Sequence, residues 1–360
     1  MSKITDIWHF GKKRPLVFYS ILTIGLLSIL ALTAYAHIGD NSPGANHQIP
    51  EIALKPAFYK VNLIKIKGGD IEASNLVKGL FSGFKKNYQE VPYDSLSIDD
   101  QTLTLVFNGK TRFFKTSEIY GYENDSPDLP TFKRTYLLGT DKYGRSVWSR
   151  LILGIRISLL VGFLAVLVSL LVGVTVGALG GYYGGISDQI LLYFINVVWA
   201  IPTLLLVFAI VLALGRGMGI IFLAIGLTMW VDVARIVRGQ VMEAKNQLYV
   251  QAAQSIGQKQ LIILFRHILP NIMGPILVIT AANFATAILV EAGLSYLGFG
   301  INPPTPSLGN MLNENYGYAL SGNYTIALAP ALVVSLLVLC FNLLGTGLRD
   351  VFDIKQTARQ

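Results

Sequence analysis

Ser158-Leu-Leu-Val-Gly-Phe-Leu-Ala-Val-Leu-Val-Ser-Leu-Leu-Val-Gly-Val-Thr-Val-Gly-Ala-Leu179 carries no charged side chain, and the uncharged run extends from Arg156 to Asp188. About 20 apolar residues in a helix cross a hydrocarbon core. The stretch therefore reads as a membrane span, and it must be helical because lipid offers backbone amides no partner. Working outward, further charge-free gaps run from Arg14 to Asp40, Asp188 to Arg216, Arg266 to Glu291 and Glu314 to Arg349. With the apolar run after Arg216 they predict six spans, near 16–36, 158–179, 190–214, 217–235, 272–291 and 325–345. These segments are apolar all round, so periodicity adds little. The pattern predicts an all-α polytopic membrane protein.

Composition agrees, with 52% hydrophobic and 14% charged residues in 360, against about 25% charged in average soluble proteins. The formal charge of +8 does not point to nucleic acid, because the basic residues flank spans instead of interleaving with aromatics. They fix orientation. Lys3, Lys12, Lys13 and Arg14, then Arg235, Arg238, Lys245, Lys259 and Arg266, then Arg349, Lys355 and Arg359 fall on one side, and the short loops opposite receive only Arg216. The positive-inside rule puts both termini, residues 1–15 and 351–360, in the cytoplasm of a bacterial plasma (inner) membrane. Ala34-Tyr35-Ala36 looks like a signal-peptide cleavage site. The apolar stretch before it exceeds the 7–15 residues usual for a signal, so the expectation is an uncleaved anchor. The lone Cys340 excludes a disulfide framework within the chain, and His9, His37, His47 and His267 are too scattered for a metal cluster.

Residues 37–135 are polar and would lie outside the membrane. Leu103–Phe107 and Thr111–Lys115 flank Asn108-Gly109-Lys110, and Asn-Gly between β-rich runs signals a hairpin. Phe58–Lys67 alternates as a strand, and Asn75–Tyr88 reads as a short helix. A small α+β extracytoplasmic insertion is expected there. Residues 136–350 then hold five spans and one long cytoplasmic loop, 236–270.

That loop contains Tyr249-Val-Gln-Ala-Ala-Gln-Ser-Ile-Gly257, nine further residues, then His267-Ile-Leu-Pro270. It resembles the E-A-A-x-x-x-G-x9-I-x-L-P coupling loop of importer permeases of the ATP-binding-cassette type. Ala252, Ala253, Gly257, Leu269 and Pro270 match, while Gln251 stands where the family has Glu and His267 where it has Ile. Small residues and a glycine also make an ordinary amphipathic helix and its cap, but two further blocks count against that reading. Leu137-Leu-Gly-Thr-Asp-Lys-Tyr-Gly-Arg-Ser146 and its continuation to Leu159 resemble the opening block of dipeptide and oligopeptide permeases. Glu291-Ala-Gly-Leu-Ser-Tyr-Leu-Gly-Phe-Gly300 and Pro303-Pro-Thr-Pro-Ser-Leu-Gly-Asn-Met-Leu312 resemble a second block of the same family.

The resemblance, over about 137–350, implies a type I ABC importer permease of the C-type. Implied partners are a homologous second permease, two cytoplasmic ATP-binding subunits and an extracytoplasmic peptide-binding protein. The chain has no G-x-x-x-x-G-K-[ST] loop, so it is read as a transport subunit without a cofactor, with ATP hydrolysed elsewhere. Closure of the ATPases would push the 243–257 helix and tilt the flanking spans, a rigid-body transition. Peptides are the expected cargo, with nickel chelates, carried by very similar permeases, as the alternative. A membrane-embedded enzyme would need converging ionisable groups, and a self-sufficient channel would have no use for a coupling loop.

Other residues carry weaker signals. Asp232 and Arg235 are one turn apart and are expected to neutralise each other, in preference to a proton relay. Glu291 is placed at the outer end of a span, either at the pathway or in a structural role before the following turn. Pro202 is expected to kink the third span, with Trp199 and Thr203 bordering the pathway. Gly173, Gly177 and Gly181 form a small-residue stripe for close helix packing, with the partner permease as one candidate neighbour. His267 is expected to pack at the loop's end.

Overall fold

The computed structural model describes residues 15–68, 76–99, 101–122 and 129–357. Lys3, Lys12, Lys13, Arg14, Arg359 and Asn75 lie outside the described residues. The described residues open with helix α1 (Pro15–Leu32) and the single turn α2 (Ala34–His37). Strand β1 (Tyr59–Lys67), helix α3 (Leu76–Ser82) and strands β2 (Tyr88–Tyr93), β3 (Ser95–Asp99), β4 (Thr102–Phe107), β5 (Lys110–Lys115) and β6 (Thr131–Tyr136) follow. The remainder is helical: α4 (Val147–Tyr183), α5 (Gly185–Trp199), α6 (Thr203–Leu214), α7 (Met218–Lys245), α8 (Leu248–Ser255), α9 (Met273–Tyr296), α10 (Leu308–Leu320) and α11 (Thr325–Thr357).

Among the described residues, five helices are long and apolar enough to cross a membrane: α1, α4, α7, α9 and the Thr325–Phe352 part of α11. Helices α5 and α6 make a sixth only if taken together, because they are bent by 88° across the break between them. The predicted kink at Pro202 is thus a full break. Proline lacks the N–H that would continue α5 and instead caps α6. Two helices also outrun their apolar cores. Helix α4 starts at Val147, taking in residues 147–157 ahead of the predicted span, and α7 runs on to Lys245, through the first part of the predicted loop.

Two compact units emerge among the described residues: 15–28, 158–302 and 333–357 in one, 29–157 and 303–332 in the other. In the first, α4 and α7 meet through glycines. A Cβ on Gly173, Gly177 or Gly181 would lie 2.6 Å from Val233 Cβ, 2.5 Å from the Ala234 carbonyl oxygen or 2.7 Å from that of Arg238. Gly226 of α7 reciprocates, its position 2.8 Å from the Ala165 carbonyl. The stripe expected to pack a helix closely does so inside this chain, where absence of side chains lets backbones approach. The outer faces keep Leu160, Phe163, Leu167 and Leu171 of α4 exposed, as a lipid-facing surface requires.

The second unit contains two three-stranded antiparallel sheets, ordered β2-β1-β6 and β3-β4-β5. The hairpin predicted at Asn108-Gly109 is present, with φ of 48° and 75° at its two turn residues. Positive φ at both positions is what a twist-matched two-residue turn needs, and Asn and Gly tolerate it best. The expected 75–88 helix is shorter, α3 ending at Ser82, because Tyr88 joins β2 opposite Lys67. Ile49, Ile52, Val61, Leu63, Phe107 and Tyr136 pack as one buried cluster, and Ile64, Ile66, Val91, Leu103, Leu105 and Ile119 as another.

Glu90 of β2 lies buried in this unit beneath a bidentate pair with Arg134, with Lys86 Nζ 3.1 Å from Oε1. Burial alone would raise its pKa, but the Arg134 hydrogen bonds and the neighbouring positive charges hold it at about 2. Burial also pushes Tyr136 up to about 12.

Candidate functional site

The segment after α7 is built from short pieces that each have a local cause. Helix α8 ends in two interlocked hydrogen bonds, Gly257 N–H to the Gln254 carbonyl at 3.0 Å and Gln258 N–H to the Ala253 carbonyl at 3.2 Å. This Schellman arrangement needs a residue of positive φ, and Gly257 supplies it at 75°. Further on, Ile263–Ile268 winds as a π-helix just ahead of Pro270. Proline has no N–H for the carbonyl four residues back and its ring crowds that carbonyl, which loosens the preceding turn. His267 Nε2 lies 2.9 Å from Gln258 Oε1, tying the far end of the loop to the residue that follows the glycine cap. Gln251, where the family pattern has Glu, uses its amide on the Asn246 carbonyl at 3.2 Å.

Helix α8 has two unlike faces. Val250 and Ala253 are buried with Val237, Val241, Ile263, Leu264 and Ile268, which anchors the short helix to the end of α7. The opposite face presents Leu248 (81% exposed), Ala252 and Ile256 (74% exposed) at four-residue spacing, with Gln251 and Pro270 also exposed and Leu269 half-buried. Spacing of four places all three on one helical stripe.

The predicted pathway residues separate into two places. Trp199 ends α5 beside α7, where its indole Nε1 donates to Asp232 Oδ1 at 3.1 Å and the Arg235 guanidinium lies 3.6 Å above the ring. The expected Asp232–Arg235 pair is replaced by these two contacts, because the indole offers a donor to one and a π face to the other. Pro202 and Thr203 lie exposed at the adjoining break. Glu291 is elsewhere and fully buried, accepting hydrogen bonds from Ser158 and Ser295 hydroxyls at 2.8 Å each and so joining α4 to α9.

The two blocks shared with peptide permeases pack densely. Asp141 caps its own turn, accepting from Tyr143 N–H and Arg145 N–H at 2.9 and 3.0 Å, and takes Arg145 Nε at 2.7 Å. Arg145 also reaches Glu314 of α10 at 2.7 Å, and fully buried Arg150 lies 3.5 Å from the same carboxylate. Sequence reasoning overlooked Glu314. Its signal was there: it is the one charged residue between Glu291 and Arg349. A Cβ on Gly144 would fall 1.8 Å from the Ile49 carbonyl, and one on Gly139 would fall 2.2 Å from that of Lys55. Residues from the predicted insertion are thus packed directly under the opening block.

The described residues thus form a multi-spanning helical protein with a two-faced short helix anchored to the end of a long one. Residues 149–356 match the family described as binding-protein-dependent transport system inner membrane component, and the chain belongs to that family. It is 43% identical over 217 residues to the dipeptide transport system permease protein DppC of Bacillus subtilis, covering 60% of this chain and 68% of that protein. It is 40% identical to the oligopeptide transport system permease protein OppC of the same organism, covering 63% and 74%. Identity to the glutathione transport system permease protein GsiD of Pectobacterium atrosepticum is 41%, over 61% and 72%.

Proposed function

We propose that this chain is a permease subunit of an ATP-driven importer, forms half of a translocation pathway for di- or oligopeptides, and receives its drive through α8. The supporting observation is the anchored helix with an exposed Leu248–Ala252–Ile256 stripe, followed by a glycine-capped turn at the spacing of a coupling loop. The relatives named for dipeptides, oligopeptides and glutathione favour peptides over nickel chelates. In this reading both termini and α8 are cytoplasmic, two ATP-binding subunits dock there, and a homologous second permease completes the pore. Residues 37–135 are extracytoplasmic and steady a loaded peptide-binding protein against the permease.

The test uses the purified complex with its ATPases and binding protein in proteoliposomes. Ile256 is 74% exposed, so with Ile256→Asp insertion and assembly should persist while peptide uptake falls at least tenfold, the cost of a charge placed in an apolar contact. Gly257→Val forces a β-branched residue to positive φ, at about 1–2 kcal/mol, and should weaken uptake without lowering the amount of chain in the membrane. Normal uptake in the Ile256→Asp variant would remove α8 from the coupling role.

A further inference from the structure

We propose that Trp199, Asp232 and Arg235 form a subsite for the charged ends of a short peptide, set at the break between α5 and α6; this rests on the peptide-importer reading above. Helix α7 is apolar from Met218 to Val231 and then places Asp232 and Arg235 one turn apart. Asp232 is roughly 20 Å from the helix start at 1.5 Å per residue, near the cytoplasmic end of the 217–235 span. Ionisable groups within spans mark substrate or ion paths.

The break itself points the same way. Backbone outside regular helix at membrane depth persists only against protein or beside a water-filled cavity. Here Trp199 is 58% exposed, Ile201 42%, and Pro202 and Thr203 are exposed too. Helix α6 begins at this break, bringing the positive end of its dipole and its first N–H groups. Interrupted helices whose N-terminal ends face anionic substrate groups recur in transporters.

The chemistry is that of a zwitterion's complement. Asp232 lends one carboxylate oxygen to the indole at 3.1 Å, which leaves the other for a cation. The Arg235 guanidinium carbon lies over the indole, 3.6 Å from the ring centroid, and Nη2 donates to Asn196 Oδ1 at 3.4 Å. A stacked guanidinium keeps in-plane donors for a carboxylate. The indole holds the two charges apart where they would otherwise pair. Side chains three residues apart on a helix start about 5–6 Å from each other, and two extended residues span about 7 Å. A dipeptide's ammonium and carboxylate therefore match Asp232 and Arg235, and a longer peptide would present one end at a time.

The experiment compares uptake of a free dipeptide, its N-acetylated form and its C-amidated form by the complete complex in proteoliposomes. Asp232→Asn should reduce free-dipeptide uptake about tenfold, the worth of one charge-assisted contact, yet leave uptake of the acetylated form unchanged. Arg235→Gln should do the same with the amidated form as the insensitive one. A benzoylphenylalanine at position 203, exposed at the same break, should cross-link to labelled peptide. If either variant lowers uptake of all three peptides alike, or if the probe captures only the second permease, the subsite is overturned and the cluster is a staple or a subunit contact. A wild-type complex that imports no peptide would overturn the importer reading, and this subsite with it.

Discussion

Replacing Gly177 by Val tests whether α4 and α7 are held together by backbone proximity. A Cβ there would lie 2.5 Å from the Ala234 carbonyl oxygen and 2.9 Å from its Cα, against about 3.5–4.0 Å for a comfortable contact. The helices would have to part by about 1 Å, and a gap of that size forfeits a quarter to a half of each dispersion contact across the seam. Gly173 and Gly181 share the seam, so the loss spreads over both adjoining turns. Overpacking of this kind costs about 1–3 kcal/mol. Lipid supplies no compensating hydrophobic drive between helices. Gly239→Val on α7 is the control, since a Cβ there meets nothing within 4 Å. In detergent, the thermal midpoint of the Gly177 variant should fall by roughly 4–8 °C for 2 kcal/mol in a unit of this size, with the Gly239 variant within a degree or two of wild type. Equal midpoints for the two variants would refute the close-packed seam.

Three further outcomes are expected. Glu90 holds a folded pKa near 2 against an ordinary 4.5; this depressed carboxylate stabilises the fold above pH 4.5, by roughly 3 kcal/mol. That stability should vanish as pH falls from 4.5 toward 2, read as acid-induced loss of sheet circular dichroism that Glu90→Gln makes nearly pH-independent. Cysteines introduced at Asn108 and Leu320, both exposed, should react with an impermeant maleimide added to intact cells, and one at exposed Gln247 should not; labelling at 247 would reverse the orientation. Reversing Lys110 and Lys115 to Glu on the exposed edge strand β5 should weaken stimulation of ATP hydrolysis by the loaded binding protein, and an unchanged titration would remove the docking role of this sheet.

Excising residues 45–130 would not make a clean test of that role. Leu54 N–H bonds the Asp141 carbonyl at 3.0 Å and Ile49 N–H bonds that of Tyr143 at 3.2 Å. The linker preceding β1 is thus part of the support of the opening block, and only the β3-β4-β5 sheet lends itself to independent change.

Charge-free runs and the positive-inside bias alone determined that this chain is a helical membrane protein, because the cost of leaving charges and backbone groups in lipid acts on every residue locally. The Asn108-Gly109 hairpin and the glycine after α8 were equally legible, since each meets a local demand for positive φ. The five residues that match the family's loop pattern could also be read directly. What lay beyond sequence is what depends on distant residues coming together. Arg145 meets Glu314 across 169 positions and Ser158 meets Glu291 across 133. The glycine stripe on α4 declared that something packs close, but only the fold showed that α7 does so. Asp232 and Arg235 carried the spacing of an ion pair, and they part because folding brings the Trp199 indole between them, a neighbour 33 residues from Asp232 that no helical periodicity could supply.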